Sequence, residues 1–174
     1  MPIKLGGALA LRGEESVGAY CPIERAMTAL RTRSAMLVLR EAFYGATRFD
    51  EFAARAGLTD ATTSAQLREL TAAGILEKRP YREPGSRRRH AYVLTEAGAD
   101  LLPAVFALLQ WGNRHDPPPY PPELSHDGCG EPVEIATTCA AGHAVGVDEL
   151  RVTAAGPFGL DHPLEPDPSR RTHG

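Results

Sequence analysis

At 174 residues, with 19 Lys and Arg against 22 Asp and Glu, the chain has a formal net charge of −3 and room for one ordinary core plus an appendage. No run of about 18 apolar residues occurs, which argues against a helical membrane span, and the weakly charged start MPIKLGGALALRG has too short an apolar part for a secretion signal. Three cysteines, Cys21, Cys129 and Cys139, are too few for a disulfide scaffold and point to a reducing cytoplasm.

The charge is unevenly placed. Residues 21–115 carry 14 basic and 10 acidic side chains, a net of +4. Residues 116–174 carry 3 and 10, a net of −7, and residues 1–20 balance. A basic middle with an acidic tail fits a DNA-contacting domain followed by an extension that does not touch DNA.

Residues 1–20 are rich in Gly and Ala without periodicity and read as a flexible N-terminal arm. Pro22 opens a helix to about Thr32, because a proline at the first helical position gives up no hydrogen bond; Ile23, Met27 and Leu30 share one side. Ser34 is placed to cap a second helix, Ala35 to Phe43, whose apolar residues nearly encircle it and predict burial. Gly45 ends it. After an extended link at Thr47-Arg48-Phe49, a third helix runs to Ala56, and Gly57-Leu58 makes a tight turn. Thr59 or Asp60 caps the fourth helix, with Thr63, Leu67 and Leu70 on one face and Gly74 at its end. Two short helices joined by such a turn form a helix-turn-helix.

Ile75 and Leu76 open a strand whose partner is Ala91 to Leu94. Between them Glu83-Pro84-Gly85-Ser86 signals a turn, followed by Arg87, Arg88 and Arg89. A helix with a small polar outer face beside a hairpin with a cationic tip suits duplex DNA: the helix enters the major groove and the tip meets phosphates. Thr95 caps a long helix to about His115, which Pro103 should bend. Its two apolar stripes, Leu101/Val105/Leu108 and Leu102/Phe106/Leu109, fit one face packed on the chain and one on a second subunit; a helix wedged between elements of one chain is the alternative. Residues 116–122 hold five prolines and form a stiff linker. Residues 123–155 read as a small β-hairpin extension, with strands at Val133–Ala136, Ala144–Val147 and Leu150–Thr153, and residues 156–174 as a disordered tail.

Five stretches together resemble the HxlR-type winged helix-turn-helix transcriptional regulators. They are Cys21-Pro22-Ile23-Glu24-Arg25-Ala26, LVLREAFYGATRFDEF at 37–52, LRELTAAGILEKRPY at 67–81, AYVLTEAG at 91–98 and LLPAVFALLQWGNRH at 101–115. The resemblance covers residues 20–115 in order. It implies a mainly α, α+β fold: a winged helix-turn-helix over residues 21–115 with a long C-terminal dimerisation helix, followed by the small β-rich extension. It further implies a cytoplasmic homodimer on double-stranded operator DNA, acting as a repressor or activator and not as an enzyme. Arg33-Ser34-Ala35 stands where the family usually has a basic residue followed by Trp-Thr, and the wing is more cationic than usual.

The residues expected at DNA are Arg48, Thr59, Thr62, Ser64, Arg68, Arg82, Arg87, Arg88 and Arg89. Ala61, Thr62, Ser64 and Ala65 near the helix start favour readout through thymine methyls, hydroxyls and shape. Cys21, at a helix start near Arg25, resembles the redox-sensing cysteine of some of these regulators; a small apolar residue at a dimer seam is the other reading. His126, Cys129, Cys139 and His143 have spacings compatible with tetrahedral zinc, but a metal-free hairpin remnant is the favoured reading and no cofactor is expected. No nucleophile elbow or phosphate loop occurs, and no paired carboxylates stand in a frame that suggests a pocket. A winged helix used for protein–protein contact, and a regulator with a small-molecule or redox effector, are the competing readings.

Overall fold

The computed structural model describes residues 3–11, 13–14, 16–18, 21–81 and 89–154. They fall into two compact units: residues 26–136, and the two chain ends up to residue 25 and from residue 137. The wing tip at 82–88 and the tail from 155 lie outside the described residues.

The larger unit is built on caps. Helix α2 spans Pro22–Ala29, only its residues from 26 onward belonging to this unit, and ends before the expected Thr32. Thr32 instead takes extended backbone and caps α3 (Arg33–Phe43), its hydroxyl accepting the Ala35 N–H at 3.0 Å. Ser34, the expected cap, lies inside the helix. Val38 and Leu39 are fully buried at the centre of the unit. Helix α4 (Phe49–Ala56) starts where the Glu51 carboxylate accepts the N–H groups of Thr47 and Arg48 at 2.9 and 3.0 Å. Gly57, at φ 63°, makes the left-handed turn into α5 (Asp60–Ala72), whose cap is Thr59. A side chain at Gly57 would be strained in this conformation.

Those two N–H bonds, the first of them the larger influence, hold the Glu51 carboxyl below the usual carboxylate range. A carboxylate that binds its proton less tightly when folded stabilises fully above its unfolded pKa, about 4.3 for Glu, and loses this contribution as pH falls through the lowered value. Glu51→Ala should therefore lower the melting temperature at neutral pH, and the gap to the parent should close as the pH is lowered below about 4. Thermal unfolding followed by circular dichroism at both pH values checks this.

The wing is the antiparallel pair β2 (Leu76–Tyr81) and β3 (Arg89–Leu94), with Leu76 opposite Leu94 and Tyr81 opposite Arg89. It is joined to the helix-turn-helix by the Tyr92 N–H, which donates to the Thr47 carbonyl at 2.8 Å. Phe52 on α4 meets Tyr92 edge-on, ring centroids 6.3 Å apart. Phe52, Leu39, Leu67, Leu70, Leu76 and Val38 form the heart of one core.

The expected single long helix is two. Thr95 caps α6 (Glu96–Ala99), and α7 (Leu102–His115) begins afresh with Pro103 in its first turn. Proline is tolerated in a first turn, so the residue starts a helix here and does not bend one. The stripes also divide differently. Leu101, Val105 and Phe106 pack inward, while Leu102, Leu108 and Trp111 are exposed. The expected strand at Val133–Ala136 is absent because its backbone bonds to a side chain: Gln110 Nε2 donates to the Val133 carbonyl at 2.7 Å and Gln110 Oε1 accepts the Ile135 N–H at 2.9 Å.

In the smaller unit, the expected arm contains β1 (Lys4–Gly7) and α1 (Ala8–Leu11). Strand β1 pairs in parallel with β4 (Arg151–Ala154), so the Leu150–Thr153 segment has its partner at the other end of the chain and not in a local hairpin. Ala144–Val147 forms only an isolated bridge, Thr138 to Ala144, before a 3-10 turn at Val147–Glu149.

Candidate nucleic-acid interface

Helix α5 has two unlike faces. Thr63, Gln66, Leu67 and Leu70 are buried against the core. Ala61, Ser64 and Arg68 are exposed and lie at helical spacing on the opposite face. Arg68 is the long side chain on that face and forms no ion pair with another described residue. The remaining outer residues are small, so DNA can approach the helix closely.

Thr59 and Thr62 are partly committed. The Thr59 hydroxyl accepts the Thr62 N–H at 3.2 Å, and the two hydroxyls lie 2.9 Å apart. Whichever hydroxyl donates in that pair, the other keeps its own O–H to donate to a phosphate oxygen or to water. Arg48 is exposed at the start of α4, with its guanidinium 5.3 Å from the centroid of the Tyr81 ring on β2. Arg89 is exposed at the start of β3. Together Phe49, Asp50, Tyr81, Arg89, His90 and Tyr92 line a cleft of about 380 Å³ between the start of α4 and the wing. The structure thus brings Arg48 and Arg89 to one region and places Ser64 and Arg68 on the reading helix. Arg82, Arg87 and Arg88 lie outside the described residues.

The stacking of Arg48 on Tyr81 was not read from sequence, nor was Lys78, whose ammonium lies 5.7 Å from the Tyr92 ring centroid. Lys78 stands opposite Tyr92 and Tyr81 opposite Arg89, pairings that only the strand register reveals. A second cleft, about 480 Å³, lies between α3 and α7, with Pro118 and Pro122 also in its lining.

Domain-level similarity agrees with this geometry. The family model for the HxlR-like helix-turn-helix matches residues 29–119, which contain α3, α4, α5 and the wing. The chain belongs to the HxlR-like helix-turn-helix family. It is thus a DNA-binding transcriptional regulator of the winged helix-turn-helix class. It is 39% identical over 127 residues to an HTH-type transcriptional regulator of Mycobacterium tuberculosis, Rv3095, covering 72% of this chain and 75% of the relative. It resembles the crystal structure of PA1607, a candidate transcription factor, at 31% identity and a TM-score of 0.69, over 78% of this chain and 95% of that one. It also resembles the redox regulator HypR in its oxidized form, at 29% identity and a TM-score of 0.50, over 55% of this chain and 97% of that one.

The Cys and His candidates are distributed as follows. Cys21 is half-buried, and its carbonyl accepts the Arg25 N–H at 3.0 Å as the first bond of α2. His126 Nδ1 and Cys129 Sγ lie 3.1 Å apart in an exposed turn closed by the Ser125–Pro132 bridge. Cys139 and His143 lie in a second turn, where the N–H groups of His143 and Ala141 draw the Cys139 thiol below its ordinary pKa. Among the described residues no three His, Cys, Asp or Glu side chains gather as ligands for a metal ion. No helix among the described residues is long and apolar enough to cross a membrane.

Proposed function

We propose that this regulator binds operator DNA as a homodimer in the cytoplasm, acting by binding and not by catalysis. Helix α5 enters the major groove and the β2–β3 hairpin lies along the neighbouring backbone. The observation that carries the reading is the two-faced α5: its inner face is locked into the core, and its outer face presents exposed Ser64 and Arg68 among small residues. Arg68 suits a bidentate contact to guanine. Arg48, Thr59 and Thr62 at the helix starts, with Arg82, Arg87, Arg88 and Arg89 on the wing, suit phosphates. No cofactor enters this reading. The exposed Ile23 and Met27 on α2, with Leu102, Leu108 and Trp111 on α7, support dimerisation through these two helices. A winged helix serving protein contact alone has no use for an exposed arginine on α5 or for three arginines in succession on the wing.

The test is the salt dependence of DNA affinity. Each phosphate neutralised contributes a slope of about −0.9 in log affinity against log salt. Replacing Arg87, Arg88 and Arg89 together by Ala should weaken binding to all sequences alike and flatten the slope by roughly two to three units. An unchanged slope removes the wing from the interface.

Cys21 supports a second reading, regulation by thiol chemistry, because it opens the helix assigned to the dimer seam and the chain resembles a redox regulator. Diamide treatment should then alter operator affinity of the parent and leave Cys21→Ser unchanged. Equal responses of the two proteins reject the sensor.

A further inference from the structure

Three consecutive residues between α2 and α3 each hold the reading helix. Leu30 is buried in the cluster that contains Leu67 and Leu70. Arg31 Nη2 donates to Glu69 Oε1 at 3.3 Å. Thr32 Oγ1 donates to Gln66 Oε1 at 3.0 Å while accepting the Ala35 N–H that caps α3. Gln66 and Glu69 are one turn apart on α5, so the link grips the helix at two successive levels. Upstream of this link, α2 buries none of its residues, and Ile23 is 74% exposed.

The chemistry of the two polar contacts differs. The Thr32 hydroxyl has its single proton committed to Gln66 and a lone pair committed to Ala35, so it cannot turn without losing a bond. Gln66 is only 7% exposed, which shields this bond from water. The Arg31–Glu69 pair is exposed on both sides, at 64% and 37%, and such pairs add little stability. It therefore serves as a register contact beside the shielded bond.

We infer that residues 30–32 are a clamp that ties the orientation of α5 to that of α2, so that whatever packs on α2 sets the angle at which α5 meets DNA. This regulatory role rests on the assignment of α5 as the DNA-reading helix. Gln66 and Glu69 face the link and not the groove; they are positioning residues, and their removal alters how two half-sites are matched, with little effect on how one half-site is read.

The experiment uses the full chain in two backgrounds, the parent and Q66M/E69Q, which removes the Gln66 acceptor and the Glu69 charge at nearly constant volume. Helix α2 is broken in each by Ala26→Pro, at an exposed position. Hydrogen exchange is read on peptides covering residues 66–72. In the parent, Ala26→Pro should speed exchange by about threefold or more; in Q66M/E69Q it should add less than about 1.5-fold. An equal effect of Ala26→Pro in both backgrounds overturns the clamp. Should Q66M/E69Q fail to fold by circular dichroism, R31Q/E69Q and Gln66→Met are run separately by the same criterion. A second arm uses the duplex that the parent enriches from a random double-stranded DNA pool, with its half-sites moved apart by one base pair. The parent should lose about tenfold in affinity and Q66M/E69Q less than about threefold; equal losses overturn the proposal. Failure of the parent to enrich any sequence rejects the DNA reading itself, while the exchange measurement on protein alone still decides the clamp.

Discussion

Aspartate in place of Leu108 should give a folded chain that sediments as a monomer and binds its operator at least about a hundredfold more weakly. Leu108 is 58% exposed on α7, beside Trp111 at 60%. An exposed helical position tolerates Asp at a cost of about half a kcal/mol, set by helix propensity. In a two-fold dimer the same position is used twice, so two carboxylates enter the apolar seam together. At roughly 2 kcal/mol for each desolvated, unpaired group, dissociation is favoured by about 4 kcal/mol, close to a thousandfold in the dimer constant. DNA affinity follows because a dimer engages its second half-site intramolecularly, an advantage of about 10²–10⁴ that a monomer lacks. Sedimentation velocity and fluorescence anisotropy on the selected duplex measure the two effects. A Leu108→Asp protein that sediments with the parent places the seam elsewhere.

The helix-turn-helix was legible because local chemistry decides it. Thr59 and Gly57 are a cap and a left-handed turn whatever surrounds them, and both take those conformations. The spacing of Thr63, Leu67 and Leu70 gave the inner face of α5 correctly. The cap of α3 was misplaced by two residues because Ser34 and Thr32 are equivalent candidates in sequence, and only the extended backbone at Thr32 separates them. The errors grew with sequence separation. Strand β1 has no strong β pattern of its own; it pairs with β4, and at Gly7 a Cβ would stand 2.5 Å from the Ala154 carbonyl oxygen. That need for glycine comes from a partner at the far end of the chain. Likewise, no strand propensity reports that Gln110 supplies the hydrogen bonds of Val133 and Ile135.

The candidate interface was legible in kind and incomplete in detail. Exposed Ser64 and Arg68 follow from periodicity alone. The hydroxyl pairing of Thr59 with Thr62, and Arg48 over Tyr81, depend on side-chain geometry and on the register that sets Tyr81 opposite Arg89. Gln66 is the clearest case. By composition a glutamine on a reading helix invites assignment to an adenine, yet it faces inward and meets Thr32.

Phe52→Ala should have the largest effect on stability of any single change considered, and should abolish DNA binding at 37 °C through loss of fold. Phe52 is fully buried, and it is where three elements meet: its own helix α4, the core residues Leu67 and Leu70 of α5, and Tyr92 of the wing. Truncating a buried Phe costs about 3–5 kcal/mol, from lost transfer energy and the cavity left behind. The edge-on contact with Tyr92 adds roughly 0.5–1.5 kcal/mol that the smaller residue cannot make. Against a total of about 5–15 kcal/mol for a domain, this removes roughly a quarter of the stability at the least. Phe52→Leu keeps most of the volume and should cost far less, while still losing the ring contact that fixes the wing against the helix-turn-helix. Chemical denaturation measures both. Equal losses for Leu and Ala would make ring geometry, and not filled volume, the dominant contribution at this junction.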